Sequence, residues 1–204
     1  MSERFFTPVP PAGSRAVLEG DEARHLIRVL RAKVGDEVSL FDGKGREWPA
    51  RVASVGRDRV ELDAGEPREE LGSHGIPLTL AVALPKGDRQ KWMVEKLTEL
   101  GAARLVPLET TRGVAEATAS AQARLERVVI EACKQCGRNR LMEIATGRPI
   151  DRLLAEKPAG GCVVIAHPGG RSFADVSVPS GTTEIIALVG PEGAVSYTHL
   201  RAHE

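Results

Sequence analysis

The feature that most constrains this chain is a set of uninterrupted apolar segments in its second half. They are PLTLAVAL (77–84), RLVPLET (104–110), GCVVIAH (161–167) and TEIIALVG (183–190). Strands of this texture are buried on both faces, as in parallel sheets covered by helices. Helical patterns lie between them at DRQKWMVEKLTELG (88–101) and SAQARLERVVIEACKQCG (120–137). The alternation of strand and helix predicts a mostly parallel α/β domain, which we place at residues 76–193.

The first seventy residues have a different texture, in which short runs alternate apolar and polar residues and end at glycines. The runs are AVLEG, EVSLFDG, EWPARVASVG and RVELDAG. They predict the half-buried strands of a small, curved β-barrel at residues 1–70. One helix is predicted at 21–33, with Asp21 as its N-cap and Gly35 beyond its end. The polar, glycine-rich stretch at 65–76 is typical of a linker.

Charge and hydropathy exclude some classes of protein. The 204 residues contain 28 Lys and Arg against 28 Asp and Glu, so the chain is formally neutral. This balance argues against a basic nucleic-acid tail or a polybasic membrane anchor, while a local basic face could still bind RNA. No apolar run approaches the roughly 20 residues that span a bilayer, and MSERFFTPVPP lacks the apolar region of a signal peptide. We therefore expect a cytoplasmic protein with no membrane partner.

The three cysteines do not form a recognisable metal or redox site. Cys133 and Cys136 form a CxxC near the end of a predicted helix, whereas a redox CxxC opens a helix after a strand. A structural zinc site would need a second pair, and Cys162 lies alone in an apolar strand. We expect reduced cysteines and no bound metal.

Three strand ends could hold a ligand, since ligands of open α/β sheets bind outside the carboxyl ends of the strands. The segments are LPKGD (84–88), AHPGG (166–170) and VGPEG (189–193). Their glycines allow close approach of the backbone to a flat ligand. Neither GxxxxGK[ST] nor GxGxxG occurs there, so the pattern predicts a ligand site without the usual nucleotide-phosphate loops.

Two basic clusters could contact a polyanion. Arg24, Arg28 and Arg31 fall at i, i+4 and i+7 of the predicted helix and would share one face. That face is either a solvated surface paired with nearby acids or a stripe that binds phosphates. A second cluster, Lys134, Arg138 and Arg140, follows the long helix. Two such clusters beside a ligand cleft suit an enzyme that acts on a polyanion.

Four stretches carry a resemblance to a known family. They are EARHLIRVLRAKVGDEVSLFDGKG, LPKGDRQKWMVEKLTELGAARLVPLETTRGV, EACKQCGRNRL and LVGPEG, and the match runs in order from Arg4 to Gly193. The chain resembles the bacterial 16S rRNA uridine-N3 methyltransferases (the RsmE family), a branch of the SPOUT methyltransferases.

The resemblance implies a fold, a cofactor and partners. The fold would be an N-terminal PUA-like RNA-binding β-barrel followed by a SPOUT α/β domain with a trefoil knot. The cofactor would be S-adenosylmethionine, and the substrate would be 16S rRNA of the small ribosomal subunit. The resemblance further implies a homodimer with active sites at the subunit interface, in which the helix at 88–100 helps to pack the two copies.

The resemblance also assigns roles to residues. Arg112 and Arg138 would face the RNA or its target base. For Arg24, Arg28 and Arg31, we predict from their shared helical face that they bind RNA phosphates. Because uridine N3 must lose a proton, Arg138 and Glu192 are the catalytic candidates, although Glu192 could instead bond its own turn. The residues implied to contact the cofactor are Ala166, His167, Val189, Gly190, Pro191, Glu192 and Gly193.

After Gly193 the chain departs from the family pattern. Family members continue GPEGG, whereas this chain reads AVSYTHLRAHE. We interpret residues 194–204 as a non-native tail resembling translated adapter sequence, which would leave the SPOUT domain and its knot incomplete. Two alternatives stay open: a non-catalytic RNA-binding protein built on the same barrel, or a fragment without activity.

Overall fold

The structure is a computed structural model that describes residues 3–69, 75–109, 119–167 and 169–190. The chain divides into two compact units, the first made of residues 1–72 and 130–141 and the second of residues 73–129 and 142–204. Its strands are β1 (Glu3–Phe6), β2 (Arg15–Glu19), β3 (Glu37–Phe41), β4 (Arg46–Val55), β5 (Arg59–Ala64), β6 (Arg68–Glu69), β7 (Leu78–Val82), β8 (Arg104–Glu109), β9 (Glu143–Ile144), β10 (Arg148–Pro149), β11 (Gly161–Ile165) and β12 (Glu184–Val189). Its helices are α1 (Gly20–Arg24), which continues as a π-helical turn (His25–Val29), α2 (Asp88–Leu100), α3 (Ala119–Cys136), α4 (Ile150–Ala155) and a 3₁₀ turn (Phe173–Asp175).

The first unit is a curled sheet around one apolar core. Its strand order is β1-β3-β4-β5-β2, with β6 beside β4, and all pairs are antiparallel except β1 with β3. Along β2 and β5 the buried residues alternate with exposed or half-buried ones, as the sequence pattern predicted. The inward residues include Phe5, Leu18, Leu40, Trp48 and Val60. The prediction of a small curved β-structure is confirmed.

The first helix is shorter than predicted. The sequence pattern placed it at 21–33, but its last turn is π-helical and ends at Val29. The Ala32 N–H donates to the Leu26 carbonyl at 3.1 Å, and Arg31 has φ +53°. This is the left-handed stop that usually takes glycine. Because an arginine occupies this position, the residue pattern contains no stop signal before Gly35.

Residues 130–141 complete the first unit through buried charges. Lys134, whose side chain is only 6% exposed, pairs with Glu22 at 3.2 Å and Glu131 at 3.1 Å. Its ammonium group also lies 5.6 Å from the centre of the Phe5 ring. Burial raises the pKa of Glu22 above its ordinary value, and the opposing effect of Lys134 is smaller. This segment therefore places a buried ion pair against α1.

A buried carboxylate organises the turn between β3 and β4. The Asp42 side chain is 1% exposed and accepts hydrogen bonds from the backbone N–H of Lys44 at 2.8 Å, the backbone N–H of Arg46 at 3.1 Å and the Arg46 Nε at 2.8 Å. Burial alone would raise the pKa of Asp42, but these donors together hold it below its ordinary value. The ionised carboxylate therefore stabilises the turn.

The second unit is a parallel sheet with the order β10-β8-β7-β12-β11 and with β9 beside β8. Every pair in it is parallel, so the predicted α/β class is confirmed. Helix α2 ends before Gly101, whose φ of +85° supplies the left-handed stop that the sequence predicted. The implied trefoil knot involves chain beyond Gly190, which lies outside the described residues, and it stays a prediction.

The division into a barrel at 1–70, an α/β domain at 76–193 and a tail at 194–204 likewise stays a prediction. The tail lies outside the described residues. The first compact unit contains residues 130–141 in addition to the N-terminal strands.

We expect Asp42→Asn to destabilise the first unit by about 1.5–3 kcal/mol at pH 7, since the hydrogen bonds lose their charged acceptor. Because the folded-state pKa is lowered, the stabilisation by Asp42 is complete above about pH 4 and is lost as the pH falls through that lower value. Urea unfolding followed by Trp48 fluorescence, in a Trp92→Phe background, measures the difference at pH 7, 5 and 3. The difference in the free energy of unfolding between the parent and Asp42→Asn should be equal at pH 7 and pH 5 and smaller at pH 3.

The matched control is Asp58→Asn, which changes a carboxylate that is 67% exposed and should shift the free energy of unfolding by less than about 0.5 kcal/mol. An effect of Asp42→Asn as small as that of the control would contradict the role given to Asp42.

Candidate functional site

The carboxyl ends of β7, β12 and β11 lie side by side in the second unit. Strand β12 pairs with β7 on one side, where Val189 is opposite Val82, and with β11 on the other, where Leu188 is opposite Ile165. The segments that follow these strands therefore leave the sheet at one edge. The segments at 84–88, 166–170 and 189–193 follow these three strands, and the last of them is described as far as Gly190.

A cleft of about 850 Å³ opens at this edge. Its walls are β11, the last part of β12, the segment after β11 and residues 176–179. The lining residues are Cys162, Val163, Val164, Ile165, Ala166, His167, Gly170, Arg171, Val176, Ser177, Pro179, Ala187, Leu188 and Gly190. The volume lies within the range of small-molecule and cofactor sites. We call this feature the strand-end cleft.

The lining of the strand-end cleft is mostly aliphatic, with few polar groups. Among its described residues, Arg171 alone carries a fixed charge. The ring of His167 is oriented because its Nδ1 accepts the Gly169 N–H at 3.1 Å. Gly170 allows the tight turn, since a Cβ there would lie 3.1 Å from the His167 carbonyl oxygen. The cleft can therefore hold a flat apolar group and pair one anionic group.

Part of the predicted cofactor set lines the cleft. Ala166, His167 and Gly190 do so, and Val189 is exposed at the end of β12. Pro191, Glu192 and Gly193 lie outside the described residues, as does Arg112, so the roles given to them stay predictions. The sequence analysis did not identify Arg171, Val176, Ser177 and Pro179 as lining residues. The only sequence feature that pointed to Arg171 was its position directly after Gly169-Gly170.

Arg138 lies in the first unit, in the turn after α3. Its carbonyl oxygen accepts the Arg4 Nη2 at 3.2 Å, and the same nitrogen donates to Asn139 Oδ1 at 2.6 Å. Asn139 is buried and donates from Nδ2 to Glu47 Oε2 at 3.3 Å, while Arg4 Nη1 donates to Glu47 Oε1 at 2.9 Å. These bonds fix the backbone that carries Arg138. Its catalytic and RNA-binding roles stay predictions.

The helix arginines do not share one helical face as predicted. Arg24 pairs with Asp21, and Arg28 Nη2 lies 3.9 Å from Asp58 Oδ1. Arg31 lies beyond the helix in the left-handed conformation, so the face prediction is wrong for this residue. The ion pairs favour the solvated-surface alternative for Arg24 and Arg28. Binding of RNA by these three residues stays a prediction.

The described residues include no helix that is both long and apolar enough to cross a bilayer. Within the same residues, no group of three or more His, Cys, Asp or Glu is arranged to hold a metal ion. Cys133 is buried, Cys136 is exposed and Cys162 is half-buried, and none of them forms a disulfide.

Sequence profiles of known families match both parts of the chain. The profile described as an RNA methyltransferase domain matches residues 73–202, and the profile described as an RNA methyltransferase PUA domain matches residues 18–64. The first match covers more than half of the chain and includes every described residue of the strand-end cleft.

Related proteins agree with these profiles. The chain is 26% identical over 191 residues to the ribosomal RNA small subunit methyltransferase E of Bacillus subtilis, a match that spans 88% of this chain and 74% of that protein. It is 31% identical over 180 residues to the protein of the same name from Synechocystis, spanning 84% of this chain and 57% of that relative.

Solved structures show the same fold. The ribosomal RNA small subunit methyltransferase E of Neisseria gonorrhoeae, crystallised with S-adenosylmethionine, aligns with a TM-score of 0.86 at 26% identity and covers all of this chain and 85% of its own. With the profiles and relatives, this likeness confirms the family resemblance carried by the motifs: the chain belongs to the RNA methyltransferase family that includes the small-subunit methyltransferase E proteins.

Proposed function

We propose that this protein transfers a methyl group from S-adenosylmethionine to N3 of a uridine in 16S rRNA, acting on the small ribosomal subunit in the cytoplasm. The observation that carries the proposal is the strand-end cleft, an aliphatic site at the carboxyl ends of neighbouring parallel strands. Family membership, and the names of the relatives, support both the reaction and its substrate.

The residues of the strand-end cleft fit S-adenosylmethionine. Aliphatic side chains such as Val163, Ile165 and Leu188 suit the flat adenine ring, and the glycines allow backbone groups to approach it. Arg171 supplies the cation that the methionine carboxylate requires. When bound, the cofactor supplies an electrophilic methyl group on a sulfonium centre. Ala166, His167, Val189 and Gly190, with Pro191, Glu192 and Gly193, would hold it through backbone groups.

The remaining chemistry falls to the chain's own side chains. Uridine N3 carries a proton that must leave before the nitrogen can act as a nucleophile. We assign acceptance of this proton to Glu192 and stabilisation of the resulting uridine anion to the guanidinium of Arg138. Because a methyl transfer requires alignment of donor and acceptor, orientation of the base provides much of the rate.

The proposal includes a homodimer packed through α2. Trp92 and Leu100 are 62% and 80% exposed, and their separation of eight residues places them on the same side of the helix. Val94 and Thr98 on the opposite side are buried in the unit. Large apolar side chains left exposed on one helix face mark an interaction surface. A second copy of the chain would cover them, in agreement with the dimer that the resemblance implies.

We expect the purified protein to methylate 16S rRNA in small subunits taken from cells that lack its gene. Methylation of N3 blocks the Watson–Crick edge, so reverse transcription should acquire one new stop, and nucleoside mass spectrometry should identify N3-methyluridine. Arg138→Ala should slow the transfer about 10²–10³-fold, as for loss of one preorganised electrostatic donor. Arg57→Ala, an exposed barrel cation, is the control. Absence of the stop with the unaltered protein would refute the assignment.

We expect Arg171→Met to weaken S-adenosylmethionine binding about 10- to 100-fold, as for loss of a charge-assisted hydrogen bond. Titration calorimetry is carried out with S-adenosylmethionine and with 5′-methylthioadenosine, which lacks the carboxylate. The comparison separates the contribution of the carboxylate to the affinity from that of the adenosine part. Only S-adenosylmethionine should lose affinity, and Arg152→Met on α4 should change neither ligand. An equal loss for both ligands would show that Arg171 does not pair with the carboxylate.

We expect the parent protein to sediment as a dimer, and Trp92→Glu/Leu100→Glu to sediment as a monomer at the same concentration, since two carboxylates cannot be buried without partners. Lys91→Glu/Arg89→Glu, on exposed positions of the same helix, is the matched control. A dimer that survives the first pair of changes would place the interface elsewhere.

A further inference from the structure

Two basic segments of the first unit are joined into one surface. The turn at 42–46 and the segment at 138–141 form an antiparallel bridge between Lys44 and Arg140. The Gly45 N–H donates to the Asn139 carbonyl at 3.0 Å, and the Leu141 N–H donates to the Gly43 carbonyl at 2.9 Å. The fold thereby brings together two pairs of cations that are far apart in sequence. We call them the basic turn surface: Lys44, Arg46, Arg138 and Arg140.

The close approach of the two segments depends on two glycines. A Cβ at Gly43 would lie 2.7 Å from the Leu141 side chain, and one at Gly45 would lie 2.8 Å from the guanidinium carbon of Arg140. Their φ angles, +73° and +107°, are also disfavoured for other residues. The guanidinium of Arg140 therefore rests directly against the backbone at Gly45.

Arg46 is fixed before any ligand binds. Its Nε donates to the buried Asp42, and its guanidinium carbon lies 5.3 Å from the centre of the Trp48 ring. The side chain nevertheless stays 41% exposed. A cation held in this way loses little conformational entropy when it pairs with an anion.

The charge of the basic turn surface is not balanced locally. Residues 42–46 and 138–141 contain four cations and one acid, Asp42. Lys44 and Arg140 are exposed, and no carboxylate in the described part of the chain forms an ion pair with either of them. The helix arginines differ, because Arg24 and Arg28 both pair with carboxylates.

The two basic regions of this unit lie at opposite ends of β4. Arg46 is the first residue of that ten-residue strand, and Asp58, the partner of Arg28, lies in the turn just beyond its other end. At about 3.3 Å per residue the strand is about 30 Å long. Changes to one region can therefore be tested without altering the other.

We propose that the basic turn surface binds the phosphate backbone of the RNA substrate, an inference that rests on the proposed function. Guanidinium groups match the geometry of phosphate oxygens, and the pre-fixed Arg46 beside Lys44 and Arg140, which form no ion pair with a described carboxylate, suits a polyanion. The surface contains Arg138, so RNA phosphates bound at Lys44 and Arg140 hold the strand beside the side chain assigned to the target base. Lys44 and Arg46 also fall within the span matched by the PUA domain profile.

The test uses Lys44→Gln/Arg140→Gln in the full chain and measures affinity for unmodified 16S rRNA between 50 and 200 mM KCl. Each lost phosphate contact reduces the slope of log affinity against log salt by about 0.7–0.9, so the double variant should lose about 1.4–1.8. The matched control is Arg51→Gln/Arg59→Gln, which removes two cations of the same unit that are 59% and 55% exposed and paired with carboxylates. Its slope should equal that of the parent.

A second variant separates charge from packing. Lys44→Arg/Arg140→Lys keeps both charges, so it should keep the parental slope, whereas a structural defect would affect it as well. Equal slopes for the parent and Lys44→Gln/Arg140→Gln would overturn the proposal, as would a loss shared by Lys44→Arg/Arg140→Lys. The proposed function has a separate test, and it is refuted if the parent transfers no methyl group to 16S rRNA. In that case a selective slope change would still establish the RNA surface.

Discussion

Strand β12 pairs with β7 on one side and β11 on the other, and the candidate cofactor site depends on this insertion. Along the chain, β7 comes first and β11 much later. The last described strand, β12, lies between them in the sheet. Because all three strands are parallel, the segments that follow them are brought to one edge of the sheet. The cleft, in which Arg171 alone among the described lining residues carries a fixed charge, is a consequence of this strand order.

The first unit depends in the same way on a few buried charges. Asp42 holds the turn that displays Lys44 and Arg46, while Arg4, Glu47 and Asn139 hold the segment that displays Arg138 and Arg140. These buried groups bond to one another, while Lys44 and Arg140 stay exposed and form no ion pair with a carboxylate in the described part of the chain. Two glycines then permit the close contact of turn and segment.

The sequence predicted the elements that follow from periodicity and from glycine stops. The parallel strands, α2 with its stop at Gly101 and the long helix α3 agree with the pattern within a few residues. The end of the first helix could not be predicted, because Arg31 occupies a left-handed position that glycine usually marks. The bridge between Lys44 and Arg140 was equally inaccessible, since nothing local in either segment indicates a partner almost a hundred residues away. Arg171 was missed because the conformation of its loop decides that it lines the cleft.

The pairing of Glu22 with Lys134 has a consequence for dissection of the chain. A fragment that ended after residue 72 would keep Glu22 and lose Lys134, and it would equally keep Arg4 and Glu47 while losing Asn139. Removal of one member of a buried ion pair costs about 3–5 kcal/mol, a large part of the about 5–15 kcal/mol that stabilises a typical domain. A fragment of residues 1–72 would therefore be markedly less stable than the complete unit, because the two coding segments of that unit are separated by some sixty codons.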